Sequence, residues 1–191
     1  MPIALSVKGR QYAHELWHYK DSPSPQTRRS LQARLTAVLS RFLEAHEGCI
    51  TAAMRTEFAM VTTVPSLRGR DGTHPLQRIV ASGIRSTAIR HRQLLVPGAR
   101  DGGGRTFDAQ RFQVVGPVPE SILLIDDTWT TGSRVQSAAA ALKSAGARRT
   151  AAVILGRHFD PAFGQNQAFL NVLGRTQRFD WGQCCLQYRN E

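Results

Sequence analysis

Acidic residues, cysteine, aromatic residues and long apolar runs are all scarce in this chain. Asp and Glu together number 14 against 25 Lys and Arg, which leaves a formal charge of +11 over 191 residues. Only three cysteines occur, Cys49, Cys184 and Cys185. Their positions show no metal-ligand spacing, and adjacent cysteines rarely pair, so the pattern of a disulfide scaffold is excluded and a reduced, cytoplasmic protein is expected. His14, His18 and His46 likewise lack the spacing of a metal site and read as surface or packed imidazoles. No apolar run approaches a membrane span and the N-terminus has no signal-peptide core, so no membrane partner is expected. Aromatics make up 7% of the chain and do not interleave with the basic residues, which are mostly arginine and scattered. That distribution argues against a nucleic-acid face, although so basic a protein attracts polyanions in general. A phosphate loop ending in Gly-Lys-Ser/Thr is absent, and the lone glycine triplet Gly102–Gly104 is no dinucleotide fingerprint.

What is present is a chain of ordinary single-domain length with 41% hydrophobic residues, enough to bury a core without staples. Its densest signal is Ile122-Leu-Leu-Ile-Asp-Asp-Thr-Trp-Thr-Thr-Gly-Ser133. The unalternating run Ile122–Ile125 suits a strand buried on both faces of a parallel sheet. Asp126 and Asp127 should end it, Thr128–Gly132 should form a polar turn, and Ser133 should open a helix. Ser133 and Gln136 have capping-box spacing, and Val135, Ala138, Ala139, Leu142 and Ala145 share one helical face. Lys143 suits the last turn, and Gly146 can supply a left-handed stop.

Such an order predicts an anion site. Backbone N–H groups of Thr130, Thr131, Gly132, Ser133 and Arg134 would converge on a phosphate at the positive end of the helix, with Gly132 allowing close approach. Carboxylates bind phosphate poorly but accept well from vicinal hydroxyls, so Asp126 and Asp127 would face a sugar. Phosphate donors at one end and hydroxyl acceptors at the other read as ribose 5-phosphate.

A second strand–loop–helix unit precedes it. Phe58–Val64 reads as a buried strand ended by Pro65-Ser66. The loop Leu67-Arg68-Gly69-Arg70-Asp71-Gly72 leads to His74-Pro75-Leu76 and a helix carrying Leu76, Ile79, Val80 and Ile84. Its arginines could clamp a pyrophosphate by bidentate bonds. Farther on, Leu94–Val96 and Arg111–Val115 read as strands around residues 97–110. That loop, with Arg100 and Arg105 flanking the glycine triplet, is too long for a tight hairpin and reads either as a lid or as an inert insertion.

Elsewhere, Ser22-Pro-Ser-Pro25 ends any element before it, and a cap at Ser24 or Thr27 starts a helix with Leu31, Leu35, Val38, Leu39 and Phe42 on one face. Residues 49–54 read as a short helical or irregular link. Thr150–Leu155 forms the strand after the motif helix, and Gly156–Phe159 falls at its carboxyl end, where α/β proteins place ligands. A helix is expected near Gln165–Leu173 and a strand over Cys184–Tyr188.

The 122–133 string resembles the 5-phosphoribosyl 1-pyrophosphate (PRPP) signature of the type I phosphoribosyltransferases: a hydrophobic strand, two acidic residues, two variable residues, then Thr-Thr-Gly. It differs from many members at Arg134, where a small hydroxyl residue is usual, and Trp129 is large for a variable position. Val64-Pro65-Ser66 with Arg70 and His74-Pro75-Leu76 resembles the pyrophosphate loop of the ComF-like, amidophosphoribosyltransferase-like group, and Tyr19-Lys20 resembles a Tyr-Lys pair found there. Neither the N-terminal cysteine module nor the glutaminase domain known from that group is present in these residues.

The resemblance implies one α/β domain over residues 1–191, a Rossmann-like twisted parallel sheet with its core at about 50–158 and a hood from residues 1–24 and 159–191. It implies a Mg²⁺-dependent pentosyltransferase of nucleotide metabolism that moves the 5-phosphoribosyl group of PRPP to a nitrogen acceptor of unread identity. Asp126 and Asp127 would serve the ribose and the metal, Thr130–Arg134 the 5-phosphate, and Ser66, Leu67, Arg68 and Arg70 the pyrophosphate. Arg100 and Arg105 would lie on the mobile loop, and Tyr12, Trp17, Phe159, Phe163 and Trp181 could line an acceptor pocket. A homodimer is compatible with this reading. No general base stands out, since Thr130 occupies a place where some relatives have aspartate. The competing reading is a non-catalytic PRPP-binding regulator or DNA-uptake accessory on the same fold.

Overall fold

A computed structural model describes residues 1–66, 73–98, 105–176, 180–184 and 186. Its central layer is a four-stranded, all-parallel sheet of order β1-β6-β5-β2, built from β1 (Pro2–Val7), β2 (Met60–Thr63), β5 (Ser121–Trp129) and β6 (Arg149–Phe159). Helices on both faces make this an α/β fold of the Rossmann-like kind, as the unalternating apolar run anticipates.

Strand alternation sorts the core into two halves. Leu123 and Ile125 of β5, with Val153 and Leu155 of β6, pack under α1 (Gln11–Asp21), α2 (Pro25–Met54) and the segment around Leu76. Ile122, Leu124 and Ile154 point the other way. They meet α5 (Ser133–Ser144) and the antiparallel pair β3 (Leu95–Pro97) and β4 (Phe112–Val114).

The longest element, α2, has clear local causes. Ser24 caps it by accepting from the Thr27 N–H at 3.2 Å, Pro25 occupies the first turn, and Leu31, Leu35, Leu39, Phe42, Leu43, His46 and Ile50 form the buried stripe. Leu35 and Leu39 are fully covered, each worth about 1.5–3 kcal/mol of burial. The helix continues through residues 49–54 rather than loosening into a link, because Ile50 extends the stripe into the core. After Pro75 the chain forms α3 (Pro75–Arg78), a π-helical turn (Ile79–Gly83) and α4 (Arg85–Ala88). His74 caps α3 through its ring nitrogen, and Leu76, Ile79, Val80 and Ile84 are all buried.

Three further expectations are corrected. Residues 1–24 are not a hood outside the core: β1 is an edge strand of the main sheet, registered Pro2 to Ile154 through Val7 to Phe159, and α1 packs on the sheet and on α2. Close docking of α1 depends on Gly156, since a Cβ there would lie 2.4 Å from Leu16 Cδ1. Next, β5 runs past both aspartates to Trp129, because β6 is long enough to keep supplying ladder partners as far as Arg157. Finally, Ser133 forms no capping box. Gly132 is the N-cap, with φ 80°, Ser133 is the first helical residue, and Ala145 lies exposed at the C-cap.

At the far end, α6 (Asn166–Thr176) matches the helix expected near Gln165–Leu173. Cys184 is buried and not in a strand, while Cys185 and Tyr188 lie outside the described residues. Among the described residues no helix is long and apolar enough to cross a membrane.

The C-cap of α2 offers a direct test of backbone strain. Arg55 is exposed and holds φ 53°, the only positive φ outside glycine among the described residues. A left-handed L-residue costs about 1–2 kcal/mol, and glycine relieves that at some cost in unfolded-chain entropy. Arg55→Gly should therefore stabilise the protein by about 0.5–1 kcal/mol, raising Tm by about 1–4 °C in a thermal melt.

Candidate functional site

At the carboxyl ends of β5 and β6 the surface opens into a cavity of about 890 Å³. Its floor is the motif itself: Asp126, Asp127, Thr128, Thr130, Thr131, Gly132, Ser133 and Arg134 all line it. Ser66 contributes from the end of β2, His158 from β6, and Arg105 from the segment before β4. The opposite wall is Lys8, Gly9 and Arg10 after β1 and the α1 face bearing His14, Trp17, His18, Lys20 and Asp21. Five cations (Lys8, Arg10, Lys20, Arg105 and Arg134) thus face three carboxylates (Asp21, Asp126 and Asp127), which biases the cavity toward anions.

The two aspartates are not a solvated strand end. Asp126 is 2% exposed and Asp127 3%, and strand alternation turns them to opposite faces. Asp127 follows Leu123 and Ile125 toward α1. There its Oδ2 accepts the Tyr19 hydroxyl at 2.6 Å and pairs with the Lys20 ammonium. Asp126 accepts the Asp127 N–H at Oδ1, 2.9 Å, while its Oδ2 is buried with no hydrogen-bond partner among the described residues.

These surroundings drive the two acids apart. Burial pushes the Asp126 carboxyl up to about 7, with the Arg134 guanidinium offsetting part of the rise and the neighbouring Asp127 charge adding to it. Burial acts on Asp127 in the same direction but is outweighed by the Lys20 charge and bond, the Tyr19 hydroxyl and Arg134. Asp127 is held at about 2. Tyr19, buried against that carboxylate, is raised well above the usual phenol range.

The turn and the helix start complete the floor. Gln136 N–H closes the first α5 bond to Gly132 O at 2.9 Å, which leaves the preceding N–H groups of the first turn outside the helical ladder. Gly132, the N-cap, has no side chain to close this end, and the Ser133 N–H donates to Thr131 Oγ1 at 3.4 Å. Thr131 Oγ1 also donates to Arg105 O at 2.9 Å and meets Ser133 Oγ at 3.1 Å. Arg134 reaches back to Pro65 O at 2.8 Å, tying α5 to the end of β2, and its Nε is buried without a partner among the described residues. Fully buried Arg111 supports the loop from beneath, with Nη2 donating to Thr106 O at 2.9 Å and Nη1 3.4 Å from Ser133 Oγ.

Gly132 is required for a reason the sequence reading did not contain. Besides its φ of 80°, a Cβ there would lie 2.3 Å from Cζ2 of Trp129. The indole closes over the turn, so the large residue at position 129 and the glycine at 132 are one packing unit.

Of the predicted site residues, then, Asp126, Asp127, Thr130, Thr131, Gly132, Ser133, Arg134, Ser66 and Arg105 share one cavity. Leu67, Arg68, Arg70 and Arg100 lie outside the described residues. Of the five aromatics considered for an acceptor pocket, only Trp17 lines the cavity. Tyr12 bonds Leu155 O at 2.7 Å, Phe159 packs on Phe169, Phe163 is exposed, and Trp181 packs on the core under α2. The residues missed by the sequence reading include Lys8, Arg10, His14 and His18. Tyr12, Trp17 and the Tyr19-Lys20 pair had marked α1, and Gly156–Phe159 had marked the end of β6 that carries His158. No family model matches the chain, and no curated protein matches it.

The donor set also limits what cation could bind. Asp126 Oδ2 is a hard oxygen without a partner, suited to Mg²⁺ shared with phosphate oxygens. Asp127 is already neutralised by an ammonium that would repel a second cation. Of the two aspartates expected to serve a metal, Asp126 has a carboxylate oxygen without a hydrogen-bond partner among the described residues, and Asp127 is paired with Lys20.

Two tests follow from this geometry. Gly132→Ala should destabilise the ligand-free protein by about 1–2 kcal/mol from backbone strain alone, measurable by denaturant titration. Loss of ligand binding in such a variant would then not report on phosphate contact. The second test concerns pH. Asp126, raised from 3.8 to about 7, contributes stability that is full below pH 3.8 and lost as pH rises through 7. Asp127, lowered to about 2, contributes stability present above pH 3.8 and lost as pH falls toward 2. Asp126→Asn removes only the first term. Its Tm should match wild type near pH 4 and exceed it at pH 8 by at least about 2–4 °C, equivalent to roughly 1 kcal/mol. An equal offset at both pH values would show that Asp126 is not the buried, proton-binding acid.

Proposed function

We propose that this cavity binds PRPP and that the protein transfers its 5-phosphoribosyl group to a nitrogen nucleophile, releasing pyrophosphate. The observation that carries the reading is the meeting, in one cationic cavity, of a helix start with glycine at its N-cap and a buried carboxylate oxygen with no hydrogen-bond partner among the described residues. The first suits a terminal phosphate and the second suits vicinal hydroxyls.

In the proposed reaction the C1–O bond to pyrophosphate breaks, the C1–N bond forms, and the nitrogen gives up a proton. Positive charge grows on the ribose ring and negative charge on the leaving group, so the protein's task is to position both and to stabilise the separation. N–H groups and hydroxyls of Thr130–Arg134 would anchor the 5-phosphate. Asp126 would accept from the ribose hydroxyls and oppose the forming cation. Ser66 and Arg105, which line the cavity, would serve the leaving group, and Leu67, Arg68 and Arg70 adjoin Ser66 in sequence. When bound, Mg²⁺ supplies charge neutralisation to the pyrophosphate, and Asp126 is the residue that would hold it. Asp127 acts through others, fixing Tyr19 and Lys20 so that α1 closes one side of the cavity.

A second reading, a protein that binds PRPP without turnover, is favoured by one observation. The better-ionised acid, Asp127, is spent on Lys20.

Calorimetry with PRPP and Mg²⁺ tests the shared part of both readings. Binding should weaken at least about tenfold, roughly 1.4 kcal/mol, when Mg²⁺ is chelated, and by a similar factor in Asp126→Asn. Unchanged affinity in Asp126→Asn, or no binding of either PRPP or ribose 5-phosphate, would overturn the site. Pyrophosphate release across a panel of ammonia, amines and nucleobases then separates transferase from binder.

A further inference from the structure

Away from the cavity, the fold assembles a cluster that the spacing of its members along the chain does not suggest. His46 and Cys49 are one turn apart on α2, and Cys184 arrives from the C-terminal segment beyond α6. One ligand atom from each lies within 4.8 Å of the other two, and His46 Nδ1 is 4.0 Å from Cys49 Sγ. We propose that His46, Cys49 and Cys184 bind a thiophilic divalent cation, Zn²⁺, which fastens the C-terminal segment to α2.

The ligand chemistry selects the ion. Two thiolates and an imidazole are soft or borderline donors that favour Zn²⁺ over Mg²⁺ or Ca²⁺. With bonds of about 2.3 Å to sulfur and 2.0–2.1 Å to nitrogen, a tetrahedral centre sets S···S near 3.8 Å and S···N near 3.6 Å. The separations in the protein exceed these by at most about 1 Å, within the reach of side-chain adjustment. The fourth position would be taken by water or another donor.

Burial argues the same way. His46 is 5% exposed and Cys184 3%, and both Cys49 and Cys184 are thiols. Phe42 packs on the His46 ring at 5.1 Å, while Trp181 and Leu186, either side of Cys184, pack on the core that α2 shares with the sheet. Ordering a short segment costs chain entropy, which its apolar packing through Trp181 and Leu186 opposes. A metal bridge between that segment and the longest helix supplies a strong, directional tie, because binding free energy at such a site is also folding free energy. The ion would lie remote from the motif, so loss of the metal and loss of PRPP binding are separable.

The test uses the full chain, reduced and freed of metal by chelation. Zn²⁺ titration against a chromophoric competitor should show about one equivalent bound. Co²⁺ should give the thiolate charge-transfer and tetrahedral d–d bands expected of a Cys₂His centre. Cys49→Ser and Cys184→Ser should each lower Zn²⁺ affinity by at least about a hundredfold, since loss even of an outer partner commonly costs 10–100-fold. Absence of uptake by the reduced wild type overturns the proposal whether or not the variants fold. So does full stoichiometry in Cys184→Ser, or a Cys49–Cys184 disulfide in protein purified without reductant.

Discussion

Burial of β5 on both faces is the constraint from which the rest of the structure follows. Every residue from Ser121 to Asp127 is buried, the odd-numbered side chains Leu123 and Ile125 under α1 and α2, the even-numbered Ile122 and Leu124 under α5 and the β3–β4 pair. A strand so enclosed cannot end in two carboxylates without desolvating both, and alternation sends them to opposite layers. One layer happens to supply an ammonium and a phenol from α1. The other supplies Arg134, which pairs with a backbone carbonyl of the β2 end. Two identical side chains therefore acquire opposite characters, Asp127 a settled anion and Asp126 a carboxyl near neutrality.

That asymmetry gives the cavity its chemistry. Charge compensated inside the protein does structural work, here drawing α1 onto the sheet, where Gly156 permits close contact and Tyr12 bonds Leu155 O. Charge left without a partner remains available to something outside the protein. At the helix start beside it, the Thr131 hydroxyl donates to Arg105 O and accepts the Ser133 N–H at 3.4 Å, and Trp129 closes over the turn. A buried acceptor with no partner among the described residues is costly in the ligand-free protein.

Most of the core and of the cavity floor could be read from the linear order of residues. The run Ile122–Ile125, the Ser24 cap with its leucine stripe, and Thr150–Leu155 are local patterns whose physics, periodicity and capping, operates within a few residues. So are the acidic pair and the Thr-Thr-Gly turn. The extent of β5 was not legible, because strand length past Asp127 depends on β6 offering ladder partners as far as Arg157. The place of residues 1–24 was not legible either. Pro2–Val7 is a short, mixed stretch that becomes a strand only because β6 leaves an edge for it.

What the sequence by itself determined is the menu: an α/β chain, a strand–acid–turn–helix motif, a basic balance and three thiols. Tertiary structure alone decided how those residues are paired. It assigned Lys20 and Tyr19 to Asp127 and not to Asp126, set Trp129 over Gly132, raised the α1 wall with His14, His18 and Arg10, and brought Cys184 to His46 and Cys49 from the far end of the chain. The reason is range. Propensity and periodicity act between neighbours in sequence, whereas ion pairing, desolvation and ligand convergence act across a few ångströms of space, and only the fold determines which residues those are.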